Sequence, residues 1–114
     1  MLKLLLLLLL AALGVAAAFA AYSPSRVLNA LAPSGTHTLT ASVAYGPGAR
    51  QRLDVYRPKA AAPREGWPVV VFFYGGSWNR GERADYAFVG EALASRGMLA
   101  LLADYRLYPE VRYP

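Results

Sequence analysis

Read as apolar and polar positions, the chain divides into segments of different period. Leu4 to Tyr22 is an uncharged block, mostly Leu and Ala, with no polar face. Ser23 to Gly35 is a Ser/Pro/Gly-containing linker with a helix-capable piece around Arg26 to Leu31. Thr36 to Tyr45 is rich in β-branched residues and predicts a strand, and Gly46-Pro47-Gly48 predicts a turn. From Gln51 to Tyr56 the residues alternate, with Leu53 and Val55 on one side and Arg52, Asp54 and Tyr56 on the other. Period two predicts a half-buried strand, antiparallel to the one before it and ended by Pro58. Val69 to Tyr74 and Met98 to Ala103 do not alternate. Unbroken apolar runs of that length predict strands buried on both faces. Between them, Arg83 to Arg96 predicts a helix, with Tyr86, Val89, Gly90 and Leu93 on one stripe, Asp85 and Glu91 off it, and Gly97 as the C-terminal stop. Strand, helix, strand is a βαβ crossover and predicts a parallel sheet.

The first block carries Lys3 before the apolar run and Ala18-Phe19-Ala20 near its end. That pattern fits a secretory signal peptide, residues 1–21. The run is also long enough to span a bilayer as an uncleaved signal anchor. A buried helix of a soluble protein would need a polar second face. A lipid anchor would need a cysteine, and the chain has none. Both remaining readings export the rest of the chain, either to the periplasm or the medium, or anchored to the membrane outside the cytoplasm.

Composition narrows the function further. The formal net charge is +5, but the arginines, Arg50 and Arg83 among them, are scattered, read as solvated surface charge and form no stripe with aromatics, which argues against a nucleic-acid partner. Zero cysteines exclude a disulfide framework and thiolate metal sites. No carboxylate pair or histidine cluster suggests a metal, and no cofactor is implied.

The candidate chemistry lies where the first unbroken run stops, at Tyr74-Gly75-Gly76-Ser77-Trp78. Glycines directly after a buried strand let ligand atoms approach backbone N–H groups. A phosphate cradle is one use of such a turn. The chain lacks both G-x-G-x-x-G and G-x-x-x-x-G-K-[ST], and Asn79-Arg80-Gly81-Glu82 is no substitute. The other use is an oxyanion hole for acyl transfer, where one donor contributes about 10²–10³ in rate.

Here the chain resembles a family. Tyr74-Gly75-Gly76-Ser77-Trp78 is similar to the His-Gly-Gly-x-Trp loop of α/β-hydrolase fold carboxylesterases, a group with acetyl-esterase, feruloyl-esterase-like and kynurenine formamidase relatives. Arg52-Leu53-Asp54-Val55-Tyr56-Arg57-Pro58, Leu93-Ala94-Ser95-Arg96-Gly97, and Asp104-Tyr105-Arg106-Leu107-Tyr108-Pro109-Glu110 with Tyr113-Pro114 resemble further stretches of that family, in the same order. The resemblance covers residues 40 to 114, the N-terminal portion of the family's domain. It implies an α/β fold, a serine ester hydrolase as parent, and a small-molecule ester as substrate. It implies that Gly75, Gly76 and Ser77 form the oxyanion loop, with the amides of Gly76 and Ser77 as donors and Trp78 packed under or beside them.

Two departures matter. Tyr74 stands where the family has histidine, a residue that holds the loop. No G-x-S-x-G occurs, and the family's nucleophile, acid and histidine follow that motif. Ser77 has no base near it in sequence, since the only histidine, His37, precedes the first strand and reads as a surface residue. Asp104 reads as a structural residue fixing its loop, with Arg106 as partner, and Tyr105, Arg106 and Glu110 as structural too. The sequence therefore predicts a leader at 1–21, a linker at 22–36, and at 37–114 part of an α/β-hydrolase domain: an antiparallel hairpin plus a parallel βαβ unit. Taken alone, such a chain is expected to be inactive. The alternative is a membrane-tethered or exported fragment with no enzymatic role.

Overall fold

The computed structural model describes residues 1–113. Pro114, the end of the Tyr113-Pro114 pair, lies outside the described residues. Helix α1 (Leu2–Tyr22) buries none of its residues. Its most apolar window has a mean hydropathy of 2.8, enough by length and composition to cross a membrane. Being apolar all round, it has no distinct face for the sheet. Helix α2 (Pro24–Leu31) begins with Pro24 in its first turn, where the missing N–H costs nothing. It docks through Asn29, whose Nδ2 donates to Ala84 O at 3.0 Å and whose Oδ1 accepts from Phe88 N–H at 2.9 Å.

The strands are β1 (His37–Ala44), β2 (Arg52–Pro58), β3 (Val69–Phe73) and β4 (Leu99–Ala103), in the spatial order β1-β2-β4-β3. β2 runs antiparallel to both β1 and β4, and β3 runs parallel to β4. This is the predicted hairpin joined to a parallel βαβ unit. The register slips between Thr40 and Val43. There Ser42 takes a φ of 58°, and its N–H donates to Asp54 Oδ1 at 2.8 Å. A serine in this bulge thus spends its amide on a side chain rather than on the ladder.

One face of the sheet carries helix α3 (Ala87–Ala94). The core beneath it is Tyr56, Ala94, Ala100 and Leu102, with Phe72, Tyr86, Ala87 and Leu93 packed around them. The alternation in β2 resolves with Asp54, Tyr56 and Pro58 on the covered side. Gly90 makes the close approach possible, because a Cβ there would fall 2.5 Å from the Tyr56 ring.

Three sequence expectations need correction. The predicted helix from Arg83 to Arg96 is a 3₁₀ turn, Arg83–Tyr86, followed by the shorter α3. Arg83 is bound to the sheet by both backbone and side chain, which draws this first turn out of α-helical register. Glu91, placed off the packing stripe, is buried and accepts from Thr36 Oγ1 at 3.1 Å. β3, expected to be buried on both faces, leaves Val69, Val71 and Phe73 at 58%, 51% and 62% exposure. It is the edge strand, and among the described residues nothing covers its second face.

Gly90→Ala puts a methyl group into a ring that is 2% exposed and cannot swing aside. Overpacking of this kind costs about 1–3 kcal/mol. Urea denaturation is expected to show that loss, with no matching loss for Gly14→Ala in α1, where a Cβ meets nothing within 4 Å. An unchanged midpoint for Gly90→Ala would disprove the packing.

Candidate active site

The loop after β3 begins at Tyr74, which is 3% exposed. Gly76 has a φ of 150°, and Ser77 and Trp78 follow with φ of 54° and 64°. Only glycine fits at 76, since a Cβ there would lie 2.0 Å from the Arg80 carbonyl oxygen. Two consecutive non-glycine residues in the left-handed region cost roughly 1–2 kcal/mol each. Such strain persists only when the surroundings over-determine the conformation. Asn79 N–H closes the loop on Gly76 O at 3.2 Å, and Tyr108 N–H reaches Trp78 O at 2.8 Å. Among the described residues, the N–H groups of Gly76 and Ser77 form no backbone hydrogen bond. They are left at the C-terminal end of a parallel strand, where open α/β sheets bind ligands.

The anchoring comes from below. Tyr74 Oη donates to Asp104 Oδ1 at 2.6 Å and accepts from Arg50 Nη2 at 2.7 Å. Tyr105 Oη donates to Tyr74 O at 2.6 Å. The Tyr74 ring stacks between Tyr86, at 5.5 Å, and Tyr105, at 4.9 Å. Asp104 Oδ1 also accepts from Arg83 N–H at 2.8 Å, and its Oδ2 pairs with the Arg83 guanidinium. Arg83 Nε turns the other way and donates to Asp54 Oδ1 at 2.8 Å. Two buried carboxylates and two arginines therefore meet under the loop, and their charges balance.

The titration behaviour follows from that geometry. Burial, and then the hydrogen bond to Asp104, push the Tyr74 phenol well above its ordinary value, so it remains a donor throughout neutral pH. Burial alone would raise Asp104. The bonds from Tyr74 and Arg83 outweigh it and hold the carboxyl below its usual range. The bond to Asp54 comes first among the causes that raise Arg83.

Gly75, Gly76 and Ser77 thus lie together at the mouth of β3. Tyr74 is tied down at the start of the loop, and Tyr105 bonds its carbonyl oxygen. Asp104 does not pair with Arg106, which is exposed. Arg83 takes that place because its own N–H already faces the carboxylate. Of the two placements expected for Trp78, under or beside the loop, its 75% exposure rules out the first, and its ring meets that of Tyr105 edge-on at 5.9 Å. Ser77 and Trp78 border an open cleft of about 800 Å³ together with Arg106, Tyr108 and Arg112. His37 is half-buried against Tyr56, with ring centroids 5.1 Å apart. It pairs with Pro58, whereas Phe73 pairs with Ala103 and Ala103 with Leu53, so His37 lies at the opposite end of the sheet from Gly75. Among the described residues no cluster of His, Cys, Asp or Glu is placed to hold a metal. Sequence reading missed Arg50 and Arg83, which it took for surface charge. The available signal was Asp54 and Asp104: carboxylates in and after buried strands require cationic partners.

Because Asp104 ionises at lower pH in the folded chain than in the unfolded one, its contribution to stability is complete above the ordinary carboxylate pKa of about 3.9. It is lost as pH falls through the depressed folded value. Thermal melts from pH 7 to pH 2.5 are expected to decline below about pH 4. Asp104→Asn should melt lower at pH 7 and show a flatter acid limb. An acid limb identical in both proteins would contradict the cluster.

No family profile matches the chain. It is 44% identical over 69 residues to a probable isoprenylcysteine alpha-carbonyl methylesterase of Oryza sativa subsp. japonica, a match covering 60% of this chain and 16% of that protein. It is 41% identical over 73 residues to esterase LipC of Mycobacterium tuberculosis, covering 63% of this chain and 18% of the relative. Among solved structures, esterase B from Lactobacillus rhamnosis superposes with a TM-score of 0.66 at 27% identity, over 90% of this chain and 33% of that one. The chain thus spans less than a fifth of these two curated relatives and a third of the solved structure. Fold, motif order and likeness agree: the chain carries the N-terminal portion of the α/β-hydrolase fold and is similar there to carboxylesterases that share it.

Proposed function

We propose that this chain supplies the oxyanion-hole loop of a serine ester hydrolase acting on a small-molecule carboxylic ester. The observation that carries the reading is the pair of amides at Gly76 and Ser77, which form no backbone hydrogen bond among the described residues and follow β3 in a strained and anchored turn. Two donors converging on a developing negative oxygen stabilise the transition state more than the ground state. The printed names of the relatives, a methylesterase and an esterase, support an ester as substrate. Ser77 is not the nucleophile in this reading, because the only histidine of the chain, His37, lies at the far end of the sheet. Turnover needs a serine on a G-x-S-x-G elbow with its acid and base, and this sequence contains no such motif.

With p-nitrophenyl butyrate, the 114-residue chain is expected to turn over no faster than an unrelated protein. Joined in frame to the C-terminal two-thirds of a carboxylesterase relative, it should become active. Gly76→Pro, which deletes one amide donor and also forces the loop out of its φ of 150°, should then lower kcat by at least about 10²-fold. Turnover by the chain alone that Ser77→Ala abolishes would sink the reading.

Export belongs to the same proposal. Lys3 precedes the apolar α1, and basic residues favour the cytoplasmic side, which leaves the sheet outside. Expressed with its leader in a bacterium, the chain should fractionate with the membrane or the periplasm. Recovery mainly from the cytosol with Met1 intact would overturn that location.

A further inference from the structure

Arg50 belongs to the turn between β1 and β2, remote in sequence from the loop after β3. Its guanidinium nevertheless spans that loop. Nη2 donates to Tyr74 Oη at 2.7 Å, where the loop opens, and to Gly81 O at 2.6 Å, where it closes. Nε donates to Tyr105 O at 2.9 Å, at the start of the neighbouring segment. The two loop ends are also in direct contact, since a Cβ on Gly81 would lie 2.7 Å from the Tyr74 ring.

We propose that Arg50 is a positioning residue for the Gly75–Ser77 loop. This rests on the reading of that loop as the oxyanion site. Arg50 joins the first and last residues of the turn to each other and to Tyr105, and so fixes the direction of the Gly76 and Ser77 amides. It touches no reacting atom. Its charge is not the main contribution: the distance to Asp104 Oδ1 is 3.9 Å, beyond hydrogen bonding, and Asp104 is already paired with Arg83. What Arg50 supplies is direction. A planar guanidinium holds several donors in a fixed fork, whereas a lysine ammonium is a compact charge on a flexible stem. Lysine would keep the charge and lose the simultaneous grip on Tyr74, Gly81 and Tyr105.

The test is residue-resolved amide hydrogen exchange on the full ¹⁵N-labelled chain in detergent micelles. The reporters are Asn79 N–H, bonded to Gly76 O, and Tyr108 N–H, bonded to Trp78 O. Arg50→Ala should speed exchange at both by about tenfold or more, the scale of losing bonds to a charged donor. Amides of β4 paired to β2 should keep their rates, which separates loop positioning from global stability. Arg50→Lys should resemble Arg50→Ala. Methylguanidinium added to Arg50→Ala should restore protection, and ethylammonium should not. Unchanged reporters in Arg50→Ala, full protection in Arg50→Lys, or equal acceleration across β4 would each overturn the proposal. The oxyanion reading fails by a different result, an ester hydrolase chimera indifferent to Gly76→Pro, so the two can fall separately.

Discussion

Two carboxylates buried beneath one turn, Asp54 and Asp104, set the terms for the rest of this structure. Each occupies neighbouring sheet positions, one in β2 and one just past β4, and neither has water enough to hold its charge. Leaving such a group unpaired costs several kcal/mol, so the fold must bring cations to it. Arg83 serves both by reaching in two directions. That single requirement pulls the chain after the loop down onto the sheet and shortens the following helix. It also places the Asp104 carboxylate where the Tyr74 hydroxyl can bond it.

The loop inherits its shape from this arrangement. Tyr74 cannot shift without breaking its bond to Asp104 and its stacking on Tyr86 and Tyr105. Gly76 cannot accept a side chain, and Ser77 and Trp78 sit in the left-handed region. Local strain is thereby held by a network outside the strained residues. The outcome is a pair of amides, Gly76 and Ser77, that form no backbone hydrogen bond among the described residues and lie just past the end of a parallel strand. Tyr74 anchors the start of this loop because its phenol, held above its ordinary pKa, donates to Asp104.

Much of this was legible in the residues. The unbroken runs at Val69 and Met98 located the parallel strands, and the alternation at Leu53 located the hairpin. Gly75-Gly76 after a strand located the loop. Three features were not legible. Glu91 pairs with Thr36 and Asn29 with the Ala84–Phe88 segment across contacts of more than fifty residues, which no local period records. The split of the Arg83–Arg96 helix follows from an ion pair rather than from propensity. Arg50 and Arg83 looked like solvated charge because charge patterning along a chain carries no information about depth. The buried aspartates were the available clue, and they state the need for partners without saying which arginines meet it.

The central claim is that Gly76 and Ser77 donate to the oxyanion. The most direct measurement is a crystal structure of this chain joined to the C-terminal two-thirds of a carboxylesterase relative, with a phosphonate bound covalently to the elbow serine. The account predicts the phosphonyl oxygen about 2.7–3.1 Å from both the Gly76 and Ser77 nitrogens. An oxygen held by other donors, with these two amides turned away, would contradict it.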